Sequence, residues 1–405
     1  MEMPVETPEW LDVCFVQKAL RHSEGDSIHV IDISTKPATN KGDNYTSDMI
    51  RVMVEYTQDQ NRKDTKKKSI IVKIAPINDG MRKELILNSS LFSTEMLMMS
   101  NTLDKMNQLL GSNLSAKSLY IQQKDPPLLV LEDLAPLGFR MADRETGLDL
   151  THCILALRGL GKFHAASVAV CEKDPSQKKL YTGGMFDPAH PPSLTDFFDL
   201  GLQNLAKETA KWPELDQKYT KKITQLSTRC FEIGMKVSRP RDDDFNVITH
   251  GDFWVNNMLF KYANGKPVEH IFVDFQLCCY TSPAIDLLYF LSTSPTMETI
   301  ENNKDVMLAE YLNTLTSTMK QLGCKTQPPT MQKLKDSLKE KAAYGMLASF
   351  TVLPIVICDK DKVKDIDEIM LEDGTYENPG LQGKLFRKIM TKRLPLFDEM
   401  GLLDL

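Results

Sequence analysis

No glycine-rich nucleotide signature occurs anywhere in these 405 residues. Neither G-x-x-x-x-G-K-[ST] nor G-x-G-x-x-G is present, which excludes a P-loop enzyme and a typical dinucleotide binder. Positive charge is scarce as well. The 49 Lys and Arg face 55 Asp and Glu, giving a net charge of −6 and a pI near 5.8. That balance argues against a broadly basic nucleic-acid surface. The eight cysteines form no C-x-x-C pair, and Cys278 and Cys279 are adjacent. Neither a zinc site nor a small disulfide framework fits this pattern, and reduced thiols in a cytoplasmic protein are its simplest account.

Long apolar runs are missing too. The longest uncharged stretch, residues 342–358, is interrupted by Gly345, Ser349, Thr351 and Pro354. It barely reaches the roughly 17 residues that a membrane span requires and reads as a buried helix. The acidic segment Met1–Trp10 lacks the apolar region of a secretory signal. The N-x-[ST] sequons at Asn44, Asn88 and Asn113 therefore read as coincidental. What remains is ordinary soluble-protein composition, 42% hydrophobic and 26% charged, on a chain long enough for two lobes with their own cores. Lys66–Lys68 is the one notable basic run, and its polar surroundings predict a solvated hairpin tip.

The rest of the chain is organised around residues 247–276. His250, Asp252 and Asn257 stand at H-x-D-x-x-x-x-N spacing, that of the catalytic loop of phosphoryl-transfer kinases. The apolar run Ile271–Val273 then delivers Asp274, and Asn264-Gly265 between them is a turn signal. A strand-turn-strand unit is predicted, able to bring Asp252, Asn257 and Asp274 around one phosphate-bound metal ion. The chemistry suits those residue types. A carboxylate at Asp252 can orient an acceptor hydroxyl and take its proton. Asn257 and Asp274 offer the hard oxygens that magnesium shares with phosphate and water.

Upstream, residues 9–22 have helical periodicity, and strands are predicted at 28–34, 49–56 and 69–75. Gly42 lies in the polar turn between the first two, either as a loop whose amides approach phosphates or as a simple hairpin turn. Lys73 sits in the third strand between Val72 and Ile74. An isolated Lys there defaults to solvent, but the order of elements offers a phosphate-contacting role with a helix Glu holding it. The predicted helix across 81–110 places Phe92, Met96, Met99, Leu103, Met106 and Leu110 on one face. Glu95 borders that face and is the first choice of partner for Lys73, with Glu84 the fallback; the methionines read as core filler. The apolar run 126–134 ends in Glu132 and Asp133, and 135–139 reads as a connection between lobes. The N-lobe is therefore placed at 1–134 and the C-lobe at 135–405, with Glu132 to Leu134 supplying backbone for an adenine edge. Helices follow at 148–170, through 193–237 with a break at Trp212-Pro213, and from 282. His164 reads as a satisfied structural histidine.

Taken together, these segments resemble the ecdysteroid kinase-like family of insects, within the choline kinase and aminoglycoside phosphotransferase group. The resemblance rests on His250-Gly-Asp-Phe-Trp-Val-Asn-Asn257, Val273-Asp-Phe-Gln276, Pro283-Ala-Ile-Asp-Leu-Leu-Tyr-Phe-Leu291, Leu131-Glu-Asp-Leu134 and Lys162-Phe-His-Ala165, in order along nearly the whole chain. It implies an α+β, bilobal protein kinase-like fold with a small β-rich N-lobe and a large, mostly helical C-lobe. It implies ATP as donor and magnesium as its ion. Asp252 would be the catalytic base, Asn257 and Asp274 the metal ligands, and Lys73 the phosphate contact held by Glu95. Gly42, Asn44, Glu132 and Leu134 would complete the nucleotide site, with His250 and Asp286 as structural support. The implied acceptor is a hydroxyl on a small molecule, an ecdysteroid or another steroid-like or xenobiotic alcohol. Apolar walls for it are available at Phe253, Trp254, Tyr344, Met346 and Phe350, most of them expected to be core. Two other readings compete: a non-catalytic binding protein for an apolar ligand, and a protein kinase. The second lacks both a multi-glycine loop and an A-P-E segment after Asp274.

Overall fold

The computed structural model describes residues 7–39, 42, 45–58, 64–76, 80–371 and 373–404. The chain opens with α1 (Val13–Glu24), started by Asp12, whose side chain accepts from the Phe15 amide at 2.8 Å. Strands β1 (His29–Pro37), β2 (Asp48–Thr57) and β3 (Thr65–Ile74) follow. The helices α2 (Met81–Leu87), α3 (Leu91–Leu97) and α4 (Leu103–Leu110) come next, the last two joined by a π-helical turn at Met98–Thr102. Strands β4 (Ser118–Gln122) and β5 (Leu128–Glu132) complete an antiparallel five-stranded sheet of order β1-β2-β3-β5-β4. Period-two alternation sorts the residues of β3 between two surroundings. Ile70, Val72 and Ile74 join α1 residues Val16 and Leu20 in a small apolar core. Ile71 and Lys73 point the other way and line a cavity. At its outer end β3 carries Lys66–Lys68, which are not a hairpin tip as predicted. Lys67 pairs with Glu55 on β2, and Lys68 with Glu24 at the end of α1.

Beyond β5 the chain becomes mostly helical. It runs through β6 (Phe139–Met141), α5 (Leu150–Lys173), α6 (Pro192–Thr209), α7 (Gln217–Ser227) and α8 (Cys230–Ser238). The short strands β7 (Val247–Thr249), β8 (Met258–Ala263), β9 (Lys266–Phe272) and β10 (Cys279–Thr281) surround the organising stretch. Then come α9 (Ala284–Thr293), α10 (Met297–Gln321), α11 (Met331–Glu340) and α12 (Ala342–Thr351). The chain finishes with α13 (Leu353–Val356), α14 (Ile366–Ile369) and α15 (Lys384–Glu399). The architecture is α+β and bilobal, a β-rich N-terminal lobe beside a mostly helical C-terminal one.

The uncharged stretch 342–358 resolves into α12 and α13, two short helices in place of one. Among the described residues, one helix is long and apolar enough to cross a membrane by length and composition, α5, and 72% of its apolar window is buried. The methionine-rich face is core as expected. Phe92, Met96, Met99, Leu103 and Met106 all enter the large apolar cluster built by α5 and the helices after it. By packing, the helix that carries Glu95 thus belongs with the C-terminal core, although it precedes β5 in sequence.

Candidate active site

A cavity of about 290 Å³ lies between the sheet and the C-terminal lobe. Its walls are largely apolar, with Ile71, Ala116, Leu131, Leu134, Phe139 and Leu259 among them. Lys73, Glu95, Asn257 and Asp274 stand at its polar end. Lys73 Nζ lies 2.6 Å from Glu95 Oε2 and 3.0 Å from Asp274 Oδ1. The Lys73 and Glu95 side chains are 3% and 2% exposed, so each would be a costly isolated charge without the other. Burial alone would pull the Lys73 ammonium down. Asp274 and Glu95 more than offset that, and its pKa stands above the ordinary value. Glu84, the fallback partner, is exposed on α2 and unused here.

Asp274 is delivered by the β8–β9 hairpin. Its turn is Asn264-Gly265, both at positive φ, +51° and +76°, the backbone a two-residue hairpin requires. After β9 the chain breaks sharply, and Asp274 itself takes φ +65°, a left-handed conformation that is costly for a non-glycine residue. The Val273 amide donates to Asn257 O at 3.1 Å, tying the hairpin's end to the loop that precedes it.

That loop is held from below. Asp286, on the first turn of α9, accepts the amides of His250 at 2.7 Å and Gly251 at 2.8 Å. His164 Nε2 adds a bond to Asp286 at 2.9 Å, and the other ring nitrogen meets Tyr311 Oη at 2.9 Å. Gly251 has φ +82°, and a Cβ there would fall 1.8 Å from Leu277 O; no other residue fits. His250 Nε2 donates to Val273 O at 3.1 Å, leaving Nδ1 to face the Asp252 amide at 3.4 Å. Burial holds its pKa below the ordinary value, so the ring is a neutral brace. Asp252 is gripped at both oxygens. Tyr289 Oη donates to Oδ1 at 2.7 Å and Asn257 Nδ2 to Oδ2 at 2.8 Å. Burial, with the charge of Asp274 added, pushes its carboxyl up to about 6.

The remaining predicted positions divide. Glu132 and Leu134 line the cavity, and the Leu134 amide donates to no described residue. Between them Asp133 is buried, accepting from Arg51 Nε at 2.7 Å, Ser69 Oγ at 2.5 Å and the Ala135 amide at 3.1 Å. It ties the connection between the lobes to the sheet. Gly42 is not in the cavity wall, where Ala38 and Thr39 stand instead. Its carbonyl accepts from Asn256 Nδ2 at 3.1 Å, and the Val363 side chain fills the space a Cβ would need. Asn44 lies outside the described residues. Phe253, Trp254, Tyr344, Met346 and Phe350 are all buried in the C-terminal core, and none lines this cavity.

The sequence model of the ecdysteroid kinase-like family matches residues 41–324, well over half of the chain. The chain belongs to the ecdysteroid kinase-like family. No curated protein matches it significantly in sequence. Among solved structures it is similar to Plasmodium vivax ethanolamine kinase, at 12% identity over 91% of this chain and 84% of that one, TM-score 0.43. A choline/ethanolamine kinase family protein from Mesorhizobium loti is similar at 10% identity over 91% and 90%, TM-score 0.43. An aminoglycoside phosphotransferase from Alicyclobacillus acidocaldarius is similar at 11% over 87% and 89%, TM-score 0.40. In this ecdysteroid kinase-like chain, four of the residues singled out from sequence, Lys73, Glu95, Asn257 and Asp274, line one cavity, and Asp252 adjoins it through its bond from Asn257. Sequence reasoning missed the buried tie at Asp133, the reach of His164 to Asp286, and the grip of Tyr289 on Asp252. Tyr289 had one available signal: it stands three residues after Asp286 on a helix, hence on the same face.

Proposed function

We propose that this chain is an ATP- and magnesium-dependent kinase that phosphorylates a hydroxyl of a small molecule, an ecdysteroid or another steroid-like or xenobiotic alcohol. One observation carries the reading: a buried ammonium, Lys73, paired with Glu95 and Asp274 beside the Asp252–Asn257 loop, at one end of an apolar cleft. The cleft takes the adenine ring between Ile71, Leu131 and Leu259, with the free Leu134 amide as donor to its edge. Lys73 holds the donor phosphates. Asp252 orients the acceptor hydroxyl and takes its proton, and its raised pKa makes it a stronger base than a solvated Asp.

The donor set fits magnesium. Asp274 Oδ1 is occupied by Lys73, leaving Oδ2, and Asn257 spends its amide nitrogen on Asp252 and keeps Oδ1. Both residues line the cavity. Glu95, Asp274 and Asp252 together outweigh the one ammonium, so the site carries excess negative charge for a cation. Among the described residues no three His, Cys, Asp or Glu could hold a metal by themselves, as suits an ion that magnesium-type sites share with phosphates and water. Asn257 Oδ1 and Asp274 Oδ2 would hold such an ion, and it would supply positive charge to offset that of the donor phosphates.

The test is to incubate purified protein with ATP, Mg²⁺ and a panel of hydroxylated steroids and xenobiotics, and to read product mass. A phosphate ester is expected, and Asp252→Ala should lower its rate at least about a hundredfold. Equal turnover by Asp252→Ala would sink the mechanism. Tight apolar-ligand binding without nucleotide binding in calorimetry would favour the non-catalytic alternative.

A further inference from the structure

Asp252 has a neighbour that the chemistry above does not use. The Tyr289 side chain is 2% exposed, and its hydroxyl donates to Asp252 Oδ1 at 2.7 Å. It sits on α9 between two residues that hold the same loop. Asp286 binds the amides of His250 and Gly251. Phe290 stacks on Phe253 with ring centroids 5.0 Å apart. Positions 286, 289 and 290 are i, i+3 and i+4, one helical face, and that face meets residues 250 to 253 in succession. Asp286 and Phe290 fix the backbone and the Phe253 ring, and the bond from α9 to the Asp252 carboxylate is made by Tyr289.

A carboxylate on a short side chain rotates broadly about its last torsion. Two bonds fix that rotation here, Tyr289 to Oδ1 and Asn257 to Oδ2. Each oxygen retains a second lone pair for an incoming O–H. The plane of the carboxylate, and so the direction from which an acceptor hydroxyl can reach it, is set by these two donors. We infer that Tyr289 is a positioning residue that aims the Asp252 carboxylate at the acceptor, an inference that rests on the kinase reading above. Tyr289 is aimed in turn from outside the catalytic loop. Its ring lies 6.3 Å from that of Tyr344 on α12, which meets Phe186 edge-on at 5.8 Å. The orientation of the base is thereby keyed to the packing of C-terminal helices.

Tyr289→Phe keeps the ring and removes one hydroxyl. We expect kcat to fall about ten- to a hundredfold, the scale of a misaimed catalytic group. The dissociation constant for ADP with Mg²⁺, read by calorimetry, should stay within about twofold of the wild type. A merely structural role would move both, because Asn257 lies in the same loop. In an Asp252→Asn background the second change should cost nothing further, since the hydroxyl acts only through the carboxylate. Wild-type kcat in Tyr289→Phe, or a full additional loss in the double variant, overturns the inference and leaves the kinase reading standing. A wild-type protein that transfers phosphate to no acceptor removes both.

Discussion

Asp252 meets two opposed demands, and its ionisation exposes the conflict. Its folded-state pKa of about 6 stands above the ordinary 3.8, because burial and the neighbouring Asp274 disfavour the charge. Below pH 3.8 the group is neutral in both folded and unfolded chains and costs nothing. Between those values the unfolded chain ionises while the fold keeps the proton, so the stability this one group contributes falls as pH rises and is fully gone above about 6. The gap of roughly two units is worth on the order of 2 kcal/mol once partial exposure is discounted. Asp252→Asn should therefore raise the Tm of the ligand-free protein at pH 7.5 by about one to a few degrees, with no gain near pH 4, in differential scanning calorimetry. The same titration sets an acid limb near pH 6 in the rate of the wild type. Equal Tm values for the two proteins at both pH values would show that no buried charge is being carried. On the kinase proposal, such a site gives up stability for reactivity. Lys73, by contrast, was legible only from the order of elements, since an isolated Lys on a strand defaults to solvent; its burial and its two carboxylate partners came from the structure.

At the scale of elements, the β8–β9 hairpin was readable down to its turn, since Asn-Gly supplies the positive φ that two-residue hairpins need. What it packs against was not readable. His270 on β9 is enclosed by the rings of Phe253, Phe260 and Phe272 at 6.4, 5.4 and 4.6 Å. Gly159 of α5 approaches so closely that a Cβ would fall 2.5 Å from Nδ1. Both ring nitrogens are buried without a partner among the described residues. Burial, helped by His250, pushes its pKa down from 6.5 to about 3. Here the sign is opposite to that of Asp252: the contribution of His270 to stability is fully present above pH 6.5 and is lost as pH falls towards 3, because the unfolded chain takes the proton first. At pH 5 the loss is about 2 kcal/mol. His270→Leu should remove it, so that the urea midpoint changes less between pH 7.5 and pH 5 than in the wild type. An unchanged difference between the two midpoints would refute this account of the ring. The other misreadings share a cause. Lys66–Lys68 looked like a turn because local polarity cannot tell an exposed strand end from a hairpin tip. Gly42 stayed open between a phosphate-facing loop and a plain turn, because sequence order does not say that Asn256 will take its carbonyl. The pairings that sequence spacing could not supply, Tyr289 with Asp252 and Arg51 with Asp133, are long-range contacts between elements.

On the scale of the whole molecule, the site exists only where the two lobes meet. Lys73 comes from the sheet, whose inner face packs on α1, whereas Glu95 and Asp274 are carried by elements seated on the C-terminal core. A ligand that contacts both sides must therefore stabilise the folded state against unfolding of either. For a nucleotide at a hundred times its dissociation constant the gain is about 2.7 kcal/mol. Added Mg²⁺ and a non-hydrolysable ATP analogue should raise Tm together, and more than either does alone. Lys73→Met tests whether the buried ammonium is the link. It leaves Glu95 and Asp274 without their partner, so the ligand-free protein itself should lose about 3 kcal/mol or more. Absolute melting temperatures would mix that loss with any change in binding. The decisive quantity is the ligand-induced shift within each protein, read by thermal melting over a nucleotide titration. Lys73→Met should melt lower than wild type and show almost no shift. If it melts lower yet keeps the full shift, the ammonium holds the lobes together without touching the nucleotide. The assignment of Lys73 to the phosphates would then be lost, while its structural pairing would stand.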